Sequence, residues 1–443
     1  MTSTMRFGLT LALVVFALGV LPIGQSAWAS QATIQKTDAA NALPLAVPED
    51  VGLSSERLDR ISEVLGAGVS RGEIPGYVAL VARRGRIVYF ESNGVTDPER
   101  DASMPRNAIF RIYSMTKPIT STAVMILVEE GKLKLSDPVS KYLPELEGLE
   151  AATNADEASD ASNLETEPAA QPIMVVDLLR HTSGITYGVF GETPVEKLYL
   201  DGGMNDLTTT NTKLVSQLGA LPLKYQPGTV WEYGRSTDVL GRLIEVVSGQ
   251  TLGEFFQTRI FQPLGMVDSA FHVAPGKLKR LAEPHAGDRE GLILKYIDVT
   301  SPPSFEAGGQ GLTSTATDYV RFLQMMLNGG ELDGVRILGS KTVELMTQDH
   351  VGDMFDHGTF YIPGPGHGFG LGFAVRGEGP RSPGILTEMQ GSAGEYFWAG
   401  YAGTYFWVDP SEELIGIYMM QSVKQLLPYA TSFKSLVLQA VID

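Results

Sequence analysis

Hydrophobic positions along the chain follow two spacings, and the switch between them outlines an architecture. Leu58, Ile61, Val64 and Leu65 recur three and four apart in a charged stretch, which predicts an amphipathic helix. Two β-rich runs, 77–83 and 86–91, flank a turn at Gly85 and predict a hairpin. Over 114–133 the pattern becomes helical and largely apolar, with Val124, Leu127 and Val128 on one stripe and Gly131 as a stop, so this helix should be buried. Helical spacing returns at 175–180 and at 238–247, where Val239, Leu240, Leu243, Ile244 and Val247 share a face ahead of Gly249. Thr251 and Glu254 suit a capping box for a helix running to residue 260. The end of the chain differs: 369–375, 394–397, 404–408 and 414–420 are aromatic or β-branched runs separated by Gly and Pro, with a turn at Asp409-Pro410-Ser411 and a closing helix over 429–442.

An early hairpin, a helical middle and late antiparallel strands imply one sheet built from both ends of the chain. The fold class is therefore α/β (α+β): a central antiparallel sheet flanked by helices, with a mainly helical subdomain inserted. Residues 50–140 and 301–443 are expected to form the α/β domain and 141–300 the helical subdomain. Within the latter, 149–170 holds Ala, Asn, Ser, Thr, Asp and Glu without one Lys or Arg, and reads as an exposed, mobile acidic insertion.

The first residues read as a leader rather than as part of the fold. Arg6 precedes an apolar run that falls short of the roughly 20 residues a membrane-spanning helix needs, and small residues end in Ala27-Trp28-Ala29. This predicts a signal peptide over 1–29, cleavage after Ala29, a polar segment over 30–49, a periplasmic or secreted location, and no stable membrane span after cleavage. The chain has no Cys, which removes disulfides, thiol nucleophiles and thiolate metal ligands. Its net charge of −17 repels phosphate backbones and argues against a nucleic-acid partner. Its six His show no metal-ligand spacing, and no metal or other cofactor is expected.

The candidate chemistry centres on Ser114-Met115-Thr116-Lys117, because Ser and Lys three apart on a helix lie on one face within reach of each other. A serine hydroxyl needs a base to take its proton. Lysine serves only when neutral, which desolvation and the positive end of a buried helix both favour. Ser114 is the only Ser in the chain followed by Lys at the third position. A competing match, Gly68-Val69-Ser70-Arg71-Gly72, fits G-x-S-x-G but follows an amphipathic helix where that motif requires a strand, so Ser70 is set aside.

With these residues in view, the chain resembles the serine β-lactamase superfamily, above all its class C, D-alanyl-D-alanine peptidase and family VIII esterase members. The resemblance runs from about Gly52 to the C-terminus and rests on ordered blocks: Arg111 to Lys117, Asp177-Leu178-Leu179-Arg180-His181-Thr182-Ser183-Gly184, Tyr233-Gly234-Arg235-Ser236, Gly308-Gly309-Gln310-Gly311-Leu312 and Phe397-Trp398-Ala399-Gly400. It implies that Tyr233 shares the proton work with Lys117. It also implies that the backbone N–H groups of Ser114 and Tyr401 form an oxyanion hole, with Gly400 allowing close approach of substrate. His181 is expected to be structural. Two departures stand out. Arg235 replaces the family's Asn, and Trp398 replaces the Lys of Lys-Thr-Gly, a feature of the esterase-like branch. Arg235 is left with two orientations, into the cleft as a carboxylate ligand or outward as a surface residue.

Together these expectations describe a serine hydrolase acting through an acyl-enzyme on Ser114, a carboxylesterase of β-lactamase-like fold whose partner is a small-molecule ester or amide. The alternatives are a D-amino-acid peptidase or amidase, a weak β-lactamase, and a catalytically inactive binding protein on the same fold.

Overall fold

A computed structural model describes residues 42–292, 294–352, 356–357, 361–378 and 391–443. The expected leader and most of the 30–49 segment lie outside the described residues. The first helix, α1 (Ser55–Ser70), buries Leu58, Ile61 and Leu65, and the Ser54 side chain accepts from the Arg57 amide at its start. Strands β1 (Gly76–Arg83) and β2 (Arg86–Asp97) form the expected hairpin. Arg84 and Gly85 both have positive φ, 52° and 75°, the left-handed turn geometry that matches the twist of the strands.

Strand β3 (Ala102–Ser103) follows, and the late strands are β4 (His367–Phe369), β5 (Ala374–Arg376), β6 (Tyr396–Gly400), β7 (Thr404–Asp409) and β8 (Leu414–Met420). They assemble in the order β4-β5-β6-β7-β8-β1-β2-β3, antiparallel throughout. The two ends of the chain meet where β1 pairs with β8, Tyr77 opposite Met420 and Arg83 opposite Leu414. The single run expected over 369–375 is two strands, because Gly370 and Gly372 allow a reversal closed by the Gly370 amide on the Phe373 carbonyl at 2.8 Å.

Helices cover both faces, which explains why β1 and β8 are buried at every position. Side-chain alternation sorts the contacts. Trp407 and Tyr418 meet Phe433 of the last helix (Leu426–Leu438), whereas Phe406, one residue out of phase, meets Tyr319 of the helix Ala316–Leu327. The helix α2 (Thr116–Glu129), almost wholly buried, packs on the helix α3 (Ser236–Ser248), which Gly249 ends at φ 74°. Thr251 and Glu254 make the expected capping box, although the helix it opens gives way to a π-helical turn over Gln257–Phe261.

The acidic segment 149–170 corrects its sequence reading. Its ends pair as a short hairpin, Glu150–Ala152 with Thr166–Pro168, and the first strand exchanges hydrogen bonds with Leu223. Leu149, Ala151, Ala152 and Ala155 are buried, while 157–164 is largely exposed. Charge composition indicated exposure for the whole segment, but its small and apolar residues at the base dock on the body.

Candidate active site

The environment of Ser114 begins with backbone strain. Tyr113, immediately before Ser114, is buried and held at φ 42°, a conformation costly for an aromatic residue. It opens a 3-10 turn, Tyr113–Met115, that leads into α2, so Ser114 sits just before the helix and Lys117 lies in its first turn. The strained turn is pinned on several sides. Arg111 pairs in a two-residue strand with Thr313, the Tyr319 hydroxyl donates to the Met115 carbonyl at 2.8 Å, and the Thr116 hydroxyl accepts from the Leu312 amide at 3.1 Å.

Lys117 Nζ lies 3.2 Å from Ser114 Oγ, 3.0 Å from the Tyr187 hydroxyl and 2.8 Å from the Gly309 carbonyl oxygen. Tyr233 donates to Ser114 Oγ from the other side at 2.7 Å. Burial pushes the Lys117 ammonium down to about 7; Asp238 opposes this and Arg235 reinforces it. Burial drives the Tyr233 phenol well above its ordinary value, with only partial relief from Ser114 and from the Trp398 indole N–H, which faces it without meeting hydrogen-bond geometry. These opposite shifts suit the two groups to different proton work. Near neutral pH, Lys117 is available as a neutral base for the serine proton, while Tyr233 remains a phenol that can relay a proton to a leaving group.

Two short chain segments carrying Tyr187 and Tyr233 are clamped by a buried ionic network. Lys224 Nζ reaches Glu196 at 3.0 Å and Glu232 at 3.3 Å, and the Thr186 hydroxyl donates to Glu232 at 2.8 Å. Glu232 adjoins Tyr233 and Thr186 adjoins Tyr187, so the network holds both phenols relative to Lys117.

Above Ser114 opens a cavity of about 280 Å³ bordered by Tyr233, Trp398, Gly400 and Tyr401, with apolar walls that include Phe190 and Leu426. Pairing of β6 with β5 stops at Phe397, so the last residues of β6 border the cavity.

A hydroxyl between a depressed amine and a raised phenol, at the floor of an apolar cavity, is an acyl-transfer arrangement. A family model described as Beta-lactamase matches residues 59–438. The chain belongs to that family. It is 34% identical to Protein Rv1367c of Mycobacterium tuberculosis, over 83% of this chain and 89% of that one. It is 30% identical to a lovastatin esterase of Penicillium rubens, over 81% and 91%. Among solved structures it is similar to EstCE1, described as a hydrolase with promiscuous acyltransferase activity, at 26% identity and a TM-score of 0.71, covering 86% of this chain and 98% of that one.

Within this Beta-lactamase-family fold, Ser114, Lys117, Tyr233, Trp398, Gly400 and Tyr401 come together as the sequence implied, and Arg235 does not join them at the cavity. Neither expected orientation of Arg235 holds. It is fully buried behind Tyr187, its guanidinium 4.8 Å from that ring's centroid, bonded to Asp238 at 3.2 Å and to Asn205 at 2.7 Å. With Asp238 three residues on and wholly buried, an ion pair inside the fold was available that neither orientation took into account.

Gly400, which borders the cavity, also has a packing task. A Cβ there would lie 2.3 Å from the Ile112 carbonyl oxygen, so the missing side chain lets β6 pack against the segment leading to Ser114. His181 is buried at φ 59° against Trp231, Tyr233 and Phe369, and burial pushes its imidazole far down, so it is a neutral packing group. Ser70 lies in the last turn of α1, where its hydroxyl donates to the Gly66 carbonyl at 2.9 Å.

Sequence reasoning missed Tyr187, Asp238 and the Gly309 carbonyl. Asp238 Oδ1 accepts from the Gly309 amide at 2.8 Å, so it anchors the residue whose carbonyl, in the next peptide group, accepts from Lys117. The i,i+3 spacing of Arg235 and Asp238 could have revealed that pair. Tyr187, a single tyrosine in a loop, carries no such signal.

Proposed function

We propose that this protein is a serine carboxylesterase that works through an acyl-enzyme on Ser114. The observation carrying this reading is the contact of Ser114 Oγ with both Lys117 Nζ and Tyr233 in a cavity with apolar walls. As Ser114 Oγ bonds to the ester carbonyl carbon, its proton passes to neutral Lys117. The C–O bond to the alcohol then breaks, with Tyr233 supplying the proton the alcohol needs and regaining one from Lys117. Water reverses the sequence and frees the acid.

Among the described residues, the cavity wall includes no Lys or Arg, and the resemblance puts Trp398, one of its lining residues, at the position of the family's cationic anchor for a β-lactam or peptide carboxylate. Neutral esters are therefore favoured over β-lactams and D-amino-acid peptides. The expected result is a kcat/KM for a short-chain nitrophenyl ester well above that for a chromogenic cephalosporin. Ser114→Ala should abolish turnover and Ser70→Ala should leave it intact. Comparable turnover of the cephalosporin would overturn the esterase reading. The leader supports export as a further part of the proposal, and an exported chain starting at Ser30 in N-terminal sequencing is the result expected.

A further inference from the structure

The cavity above Ser114 holds one amide whose hydrogen-bonding capacity the protein does not use. Gln310 borders the cavity and is only 6% exposed, yet among the described residues its side chain has no hydrogen-bond partner. Neither its oxygen nor its nitrogen is among the buried atoms sealed from solvent, so the amide of this cavity-lining residue keeps some access to solvent. Its backbone is held tightly. The amides of Gln310 and Gly311 both donate to the Ala307 carbonyl, at 3.2 and 2.8 Å, and a Cβ on Gly311 would meet the Phe271 ring at 2.7 Å. The preceding residue, Gly309, accepts from Lys117. Gln310 thus presents a polar side chain from a firmly held backbone on the cavity that Ser114 also lines, where the other large side chains are apolar or aromatic.

We propose that Gln310 is a specificity-determining residue that binds a neutral amide or hydroxyl group of the ester substrate. This deepens the esterase reading and rests on it. The physical reason is that an amide left unpaired after substrate displaces water is penalised more heavily than a formed hydrogen bond is rewarded. A wholly apolar ester leaves Gln310 in that state. An ester carrying a group that both donates and accepts matches the carboxamide on both of its edges. An anionic group is disfavoured by the absence of a cation in the described wall and by the chain's net charge of −17.

Two matched pairs of esters test this, one for each side of the scissile bond. On the acyl side, the nitrophenyl ester of N-acetylglycine is compared with that of isohexanoic acid, which has the same shape without the amide. On the alcohol side, the mono-butyrate of ethylene glycol is compared with propyl butyrate by pH-stat. In at least one pair, wild type should prefer the polar member after correction for the uncatalysed rate. Gln310→Leu should reduce that preference roughly ten-fold while retaining or improving kcat/KM on the apolar member. Gln310→Asn, with the same chemistry on a shorter arm, should retain part of the preference, and melting curves should show all three proteins folded.

The inference is overturned if wild type shows no preference in either pair, or if the preference survives in Gln310→Leu. Equal slowing of both members by Gln310→Leu would also overturn it, since that marks support for the Gly309 peptide rather than substrate binding. Absence of turnover of every ester by folded wild type would instead sink the esterase reading and this inference with it.

Discussion

Replacing Lys117 by Met tests the electrostatics of the site, because pH separates the charge on the amine from its contacts. Lys117 is held at about 7 in the folded protein against 10.5 for the free side chain. Between those values the unfolded chain binds more protons than the folded one, so the stability linked to this group rises with pH, by up to about 1.4 kcal/mol per pH unit. Below the window both states are protonated and the full penalty, roughly 5 kcal/mol, weighs on the fold; above it the penalty has vanished. Met keeps the shape and lacks the charge, but forfeits the contacts of Nζ with Ser114, Tyr187 and Gly309, worth about 1 kcal/mol each. Lys117→Met should therefore be inactive and yet roughly 1 kcal/mol more stable than wild type at pH 7. That advantage should shrink by about 2 kcal/mol on going to pH 9, reversing its sign. Tyr187 and Tyr233 are both shifted upward by burial and remain protonated throughout, so they do not mask the effect. Urea unfolding of both proteins at pH 7, 8 and 9 reads the difference directly. Two curves that stay parallel across that range would show that Lys117 is not a depressed amine and would remove the basis for its role as a neutral base.

Arg235→Met should leave Asp238 buried without its ionic partner, costing roughly 3–5 kcal/mol in stability. It should also move the acid limb of kcat/KM upward in pH, because the guanidinium no longer opposes protonation of Lys117; Arg235→Lys should restore part of that limb, and an unmoved limb in Met would show that the charge does not act on the base. In the acidic hairpin, removing 157–164 should leave the thermal midpoint nearly unchanged, whereas removing 149–170 should destabilise the protein by roughly 2 kcal/mol or more, since Leu149, Ala151 and Ala152 leave the core. Equal melting curves for the two deletions would show that the buried base contributes nothing.

The elements visible in the sequence are those whose pattern is local. The β1–β2 hairpin, the strand Leu414–Met420 and the helix stop at Gly249 each follow from spacing and one turn residue, and each lies where expected. The serine and lysine were legible for the same reason: three residues apart at a helix start, they need no tertiary information to face one another. What escaped was settled by contacts between distant segments. Tyr187 and the Gly309 carbonyl are 70 and 192 residues from Lys117 in the chain, and no periodicity relates them. The base of the acidic segment was misread because composition averages over a stretch in which Ala151 is fully buried and Glu150 is exposed.

Arg235 shows most clearly how a motif position can change its work without disturbing the reaction. At the place where the resemblance puts a substrate-facing Asn, a cation pointing at the serine would attract carboxylates and oppose protonation of Lys117 by direct proximity. Burial behind Tyr187 removes the first effect, and pairing with Asp238 moderates the second, since the two charges act on Lys117 in opposite directions. Asp238 does more than neutralise Arg235: through its second oxygen it holds the Gly309 amide, and Arg235 stacks on the ring whose hydroxyl accepts from Lys117. The pair thus fixes two of the three groups that hold the base. With Arg235 committed to the interior and Trp398 in the wall, the polar side chains lining the cavity include Ser114, Tyr233 and Gln310, none of them charged like a Lys or Arg. On the proposed reading, a neutral ester whose one additional polar group meets Gln310 would leave the fewest of these unsatisfied.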